Sequence, residues 1–94
     1  MEFKVGDRVH VQSHWNWPTA CYGFIAEPPD YAVRLVAETE PWEGCRRLVQ
    51  GRNGLVEFVW VKFDESQYDG DGDGPYREGE VETAYITLKG RDAR

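Results

Sequence analysis

Apolar residues recur at every second position along most of this chain, and glycine, proline and one Asn-Gly pair interrupt them. This spacing is typical of β-strands that have one buried and one exposed face. The pattern predicts strands over residues 5–11, 21–26, 31–37, 46–50, 55–63 and 81–88, with a short helical turn near residues 80–84. Five or six short strands joined by such turns predict an all-β fold, a small and strongly bent antiparallel barrel.

One of these segments, residues 55–63, is almost entirely apolar. A strand of this kind is expected at the centre of a sheet, where both of its faces are covered. The preceding Asn53-Gly54 pair predicts a hairpin with residues 46–50, because Asn and Gly both tolerate positive φ. We predict a core lined by Val9, Val11, Ile25, Val33, Leu35, Val59, Val61 and Phe63.

The composition is that of one globular domain. The chain has 94 residues, of which 40% are hydrophobic and 30% charged. We assign residues 1–88 to a single β-barrel domain and residues 89–94 to a polar C-terminal tail. The N-terminus lacks the features of a signal peptide, and no apolar run reaches the ~18 residues of a membrane helix. Two cysteines are too few for a disulfide scaffold, so we expect reduced Cys21 and Cys45 in a cytoplasmic protein.

Three short motifs resemble a known group of barrels. A Gly-Asp turn before the alternating valines of residues 5–11 resembles the first strand of Src-homology-3-like (SH3-like) small barrels. Tyr-Gly-Phe-Ile at 22–25, followed by Pro-Pro at 28–29, and Trp-Val-Lys-Phe at 60–63, followed by acidic residues, resemble strands of one branch. That branch includes the variable chain of ferredoxin–thioredoxin reductase and the β-chain barrel of nitrile hydratase. There the barrel is an accessory subunit packed against a catalytic chain, so the resemblance implies an accessory role.

The negative charge is concentrated in one segment. The chain carries a net charge of −6, and residues 64–82 hold eight carboxylates and one arginine. Nucleic-acid binding needs a cationic surface, whereas the only basic cluster here contains Arg46, Arg47 and Arg52. We therefore expect a protein partner, and neither a nucleic acid nor a membrane.

Part of this acidic segment fits the twelve-residue calcium-loop pattern. In residues 69–80, Asp69, Asp71 and Asp73 would occupy positions 1, 3 and 5, the Pro75 carbonyl position 7 and Glu80 position 12. Calcium prefers such hard oxygen ligands, and the carboxylates repel one another without a cation. The flanking segments read as strands and not as helices. Two alternatives therefore stay open, namely a solubilising acidic turn and a patch that docks a basic partner.

Four aromatic residues are candidates for a partner-binding surface: Trp15, Trp17, Tyr22 and Trp42. The loop at 13–19 corresponds in position to the long loop that frames the proline-peptide groove of SH3-like domains. The alternative is that some of these tryptophans cap an open end of the barrel, since aromatics fill much of a small core.

No motif places a nucleophile beside a base, so we expect no enzymatic activity. We predict a non-catalytic binding or accessory module that docks a protein partner through aromatic and acidic surfaces. Two alternatives are a calcium-binding domain built on residues 69–80 and an accessory subunit of a redox or metal enzyme.

Overall fold

Seven strands form one antiparallel sheet in the computed structural model, which describes residues 2–90. The elements are β1 (Arg8–Val11), β2 (Cys21–Ile25), α1 (Asp30–Arg34), β3 (Trp42–Glu43), β4 (Arg46–Gly51), β5 (Gly54–Gln67), β6 (Tyr76–Glu82), a 3₁₀ turn (Thr83–Tyr85) and β7 (Ile86–Gly90). The prediction of a bent, antiparallel all-β fold is confirmed, with seven strands in place of five or six. The sheet ends at β3 and β7, and no ladder among the described residues joins these ends into a closed barrel.

The long strand β5 organises the sheet, because it pairs with three other strands. Its first half pairs with β4, and its second half pairs with β2, where Val61 lies opposite Ile25. Along its other edge it pairs with β6, where Val61 lies opposite Gly79. The prediction that residues 55–63 form a central strand is therefore confirmed.

The core lies on one face of this sheet. Its fully buried side chains are β-branched: Val9, Val11, Ile25, Val59, Val61 and Val81. Phe63 is also buried, so six of the eight predicted core residues are confirmed. Trp17 and Cys21 complete the core, and both belong to the segment between β1 and the end of β2.

The predicted strand at residues 31–37 is wrong, because this segment begins with the helix α1. Pro28 and Pro29 have no N–H to donate to a sheet ladder, and the carbonyl of Pro29 instead accepts the first helical hydrogen bonds. Only Ala32 of the helix is buried. Val33 and Leu35, predicted as core residues, are 45% and 80% exposed.

Two turns differ in detail from their predictions. The hairpin between β4 and β5 is confirmed, with Gly51 opposite Gly54, but only Gly54 has a positive φ (123°), and Asn53 does not. The predicted strand at 81–88 is divided by the 3₁₀ turn between β6 and β7. Of the predicted polar tail, residues 89–90 belong to β7 and residues 91–94 lie outside the described residues.

Within residues 2–90, neither the five-residue helix nor the 3₁₀ turn has the length and apolar character needed to cross a membrane.

Truncation of a buried β5 residue tests this placement. We expect Val61→Ala to lower the free energy of unfolding by about 2 kcal/mol, because a methyl pair is lost from a fully buried site. Val33→Ala is the matched control, and its exposed side chain predicts a change below about 0.5 kcal/mol. Urea denaturation measures both variants, and equal losses would contradict the assignment of the two positions.

Candidate functional site

The outer face of β5 carries a tryptophan that is nearly as buried as the core. Val59 and Val61 point into the core, and Trp60 between them points to the opposite face. Its side chain is nevertheless only 6% exposed, because Ala26 and Ala32 pack against it with Trp42. The sheet is therefore covered on both faces at this point.

Two further rings stand nearly perpendicular to Trp60. The centroid of the Trp42 ring lies 5.7 Å from that of Trp60 at an interplanar angle of 85°, and Tyr31 lies at 6.4 Å and 77°. Aromatic rings prefer such edge-to-face arrangements. Tyr31 comes from helix α1 and is 56% exposed, so the group of rings is open to solvent at this side.

A second wall is formed by Trp17, which is 5% exposed although it belongs to a loop. Its indole Nε1 donates a hydrogen bond to the carbonyl of Glu80 over 2.9 Å, and its ring meets Tyr76 edge-on at 6.0 Å. The indole lies directly on Gly79, where a Cβ atom would approach Trp17 Cζ2 to 2.5 Å. Only glycine at this position allows the loop to pack against β6.

These rings enclose a cleft of about 260 Å³, here named the aromatic cleft. Its lining residues are Asn16, Trp17, Tyr31, Ala32, Leu35, Val36, Trp42, Trp60, Asp69, Tyr76, Glu78, Gly79 and Glu80. Five of them are aromatic, three are carboxylates, and none is Lys, Arg or His. The cleft is therefore both apolar and acidic.

Glu78 is the carboxylate that is tied most closely to the rings. Its Oε1 accepts a hydrogen bond from Trp60 Nε1 over 2.7 Å. Burial raises the pKa of the Tyr31 hydroxyl, and the charge of Glu78 and the neighbouring Tyr76 raise it further. The Tyr31 hydroxyl therefore stays protonated at neutral pH beside a negative charge.

Glu80 is partly compensated by a cation from β4. Arg47 Nη1 lies 3.5 Å from Glu80 Oε1, and the Arg47 side chain is only 11% exposed. Arg47 Nε also donates to the carbonyl of Glu40 over 2.7 Å. Burial raises the pKa of the Glu80 carboxyl, and the attraction of Arg47 opposes this shift without cancelling it.

The four aromatic residues predicted as a partner surface do not lie together. Trp17 and Trp42 both line the aromatic cleft. Trp15 is 72% exposed on the loop after β1 and is absent from the cleft lining. Tyr22 is half-exposed on β2, where its ring packs against His10 at 4.8 Å.

Only some of the predicted calcium ligands converge on one point. The carboxylates of Asp69, Asp71 and Asp73 offer oxygens within 4.8 Å of one another. Asp69 Oδ1 accepts hydrogen bonds from the backbone N–H groups of Asp71 and Asp73, which curls this loop. Glu80 lies on β6 with its carboxylate toward Arg47, and Pro75 connects the loop to that strand. Three of the five predicted ligands are thus brought together.

The cleft has eight aromatic or acidic residues, and sequence reasoning missed four of them, namely Tyr31, Trp60, Tyr76 and Glu78. A signal for the acidic wall was present in residues 78–81, where Glu78 and Glu80 alternate with Gly79 and Val81. Alternation in a strand places both carboxylates on one face, and the register places Glu80 opposite Trp60.

Comparison of the chain with protein-family models, curated proteins and solved structures gave no match. The geometry of the aromatic cleft is therefore the basis of the function proposed below.

The raised pKa of Glu80 predicts a pH dependence of stability. The folded state binds the proton more tightly than the unfolded state, whose carboxyl titrates near the ordinary value of 4.5. Ionisation of Glu80 therefore costs stability as pH rises from about 4.5 through the higher folded-state pKa. Glu80→Gln removes this ionisation, so the variant should not lose this stability. The free energy of unfolding of the variant minus that of the wild type should therefore increase as pH rises over this range. A constant difference between the two proteins from pH 4 to pH 7 would contradict the assignment.

Proposed function

We propose that this protein is a non-catalytic binding module that docks a segment of a protein partner in the aromatic cleft. The observation that carries the proposal is the combination of five rings and three carboxylates in one solvent-open cleft. Tryptophan and tyrosine contribute most to binding at protein interfaces when they line a pocket that a partner can desolvate.

The size of the cleft favours a side chain as its occupant. Pockets that hold drug-sized ligands and cofactors measure about 300–1,000 Å³, and the aromatic cleft, at about 260 Å³, is smaller. Tyr31 and Leu35 extend the apolar surface beside it, since they are 56% and 80% exposed. Exposed apolar surface that continues from a pocket is typical of a partner-binding site.

The chemistry of the cleft supports binding in preference to catalysis. Its lining contains no Ser, Thr, Cys, His or Lys, so the usual nucleophiles and the usual general base are missing from it. Both cysteines lie elsewhere, and burial raises the pKa of Cys21 to about 11 and that of Cys45 as well. Neither thiol is therefore activated as a thiolate at neutral pH.

The resemblance of three short motifs to SH3-like barrels supports the same interpretation. In ferredoxin–thioredoxin reductase and nitrile hydratase, the barrel that these motifs resemble packs against a catalytic chain. A bent antiparallel sheet with the strand order β3-β4-β5-β2-β1-β7, in which β6 also pairs with β5, is compatible with such a barrel. This resemblance also keeps open the alternative function of an accessory subunit of a redox or metal enzyme, whose partner would be a catalytic chain.

Peptide display tests the proposal with two matched variants. The wild type is expected to enrich peptides that do not bind Tyr31→Ala, because this change removes a half-exposed ring from the cleft. Trp15→Ala removes an even more exposed ring outside the cleft and should retain the same peptides. Enriched peptides that bind Tyr31→Ala and the wild type equally, or no enrichment at all, would overturn the proposal.

A second candidate function is calcium binding, which the convergence of Asp69, Asp71 and Asp73 favours. Calcium takes six to eight oxygens, so three carboxylates leave several positions for water and backbone carbonyls. Glu80 does not belong to this group of carboxylates, and its own carboxylate lies beside Arg47.

An amide NMR titration of chelator-treated protein tests this candidate, with magnesium as the control. Calcium binding predicts saturable shifts confined to residues 69–80, which Asp71→Asn should abolish. Glu80→Gln tests whether the Glu80 carboxylate is a ligand. A weaker calcium affinity in this variant would indicate that the carboxylate contributes to the site. The absence of shifts at millimolar calcium would exclude the calcium function.

A further inference from the structure

The aromatic cleft presents an unusual pairing of ring faces with negative charge. Trp42 and Tyr31 each stand nearly perpendicular to Trp60, and all three rings line the cleft, so a group that enters it can contact more than one ring. The faces of aromatic rings carry partial negative charge and attract cations within about 6 Å of the ring centroid. The rings alone therefore already favour a cationic occupant over an anionic one.

The carboxylates of the cleft add to this preference. Glu78 Oε1 accepts the hydrogen bond of Trp60, and no hydrogen bond or ion pair among residues 2–90 engages Glu78 Oε2. Asp69 lines the same cleft. Of the three cleft carboxylates, only Glu80 has the Arg47 guanidinium beside it, and Arg47 itself does not line the cleft. The cleft thus keeps a net negative charge that its own residues do not neutralise.

We propose that the aromatic cleft binds the guanidinium of an arginine side chain on the partner. This inference rests on the proposed function, because it names the group that the docked segment inserts. The ring faces would stack on the planar guanidinium, and Glu78 would accept its N–H groups. A cationic anchor also matches the charge of the acidic segment that supplies Glu78 and Glu80. Residues 64–82 contain eight carboxylates and one arginine.

Arginine fits these surroundings better than lysine does. A guanidinium is planar, weakly hydrated and able to stack on an aromatic ring while its edge donates to a carboxylate. An ammonium group is a compact, strongly hydrated charge, so its transfer into a cleft lined largely by rings costs more desolvation. Since most of the cleft lining is aromatic or aliphatic, the group that loses less hydration is favoured.

The test uses three capped pentapeptides of the form Gly-Gly-X-Gly-Gly, in which X is arginine, lysine or citrulline. Citrulline has nearly the shape of arginine without its charge and is therefore the matched neutral probe. Binding to the full chain is followed by NMR through the indole N–H signals of Trp42, Trp60 and Trp15. We expect the arginine peptide to shift the signals of Trp42 and Trp60 saturably, to leave Trp15 unchanged and to bind about tenfold more tightly than the citrulline peptide.

Charge-neutral variants locate the contribution of the cleft. Glu78→Gln keeps an acceptor for Trp60 Nε1 and should weaken binding of the arginine peptide several-fold. Glu65→Gln removes the same charge from an exposed position outside the cleft and should change binding much less. The NMR spectrum of each variant also reports whether its fold is retained.

Several outcomes would overturn the inference and leave the proposed function standing. Equal binding of the arginine and citrulline peptides would show that the cleft does not recognise charge. Tighter binding of the lysine peptide would exclude the guanidinium as the preferred group, and equal effects of Glu78→Gln and Glu65→Gln would remove the cleft carboxylate from the account. If display yields peptides that need the cleft but contain no arginine, the arginine inference fails and the proposed binding function is retained. If display yields no such peptides, the proposed function fails.

Discussion

The structure depends on the coverage of β5 on both of its faces around residues 59–61. Val59 and Val61 are buried in the core, and Trp60 between them is buried on the opposite face. The main core lies on the other face of the sheet, so a large apolar side chain on the outer face needs a cover of its own. The segment from Ala26 through helix α1 to Trp42 supplies that cover, and the aromatic cleft is the space left beside it.

The opposite wall of the cleft follows from the alternation along β6. Gly79 and Val81 face inward, and the absence of a side chain at Gly79 lets the Trp17 indole pack directly against the strand. Glu78 and Glu80 then point to the outer face, next to Trp60. One pattern in four residues therefore fixes both a core tryptophan and the acidic character of the cleft, which links packing directly to the proposed recognition.

The sequence predicted the parts of this arrangement that depend on local pattern. The apolar run of β5 and the Asn-Gly hairpin were sufficient for the central strand, and the buried valines followed from alternation. Helix α1 was not predicted, because Val33 and Leu35 also fit the alternation of a strand. The two preceding prolines did not decide the matter, since prolines begin a helix as readily as they end a strand. The cleft was not predicted either, because Tyr31 and Trp60 are distant in sequence. Only the tertiary packing of α1 on β5 brings their rings together.

Solvent exchange of the four indole N–H groups, measured by NMR, tests this double coverage most directly. We expect slow exchange for Trp60 and Trp17, because both rings are nearly buried and their N–H groups donate to Glu78 and to the Glu80 carbonyl. Trp15, at 72% exposure, should exchange rapidly and serves as the internal reference. Exchange of the Trp60 indole as fast as that of Trp15 would contradict the covered outer face of β5, and with it the aromatic cleft.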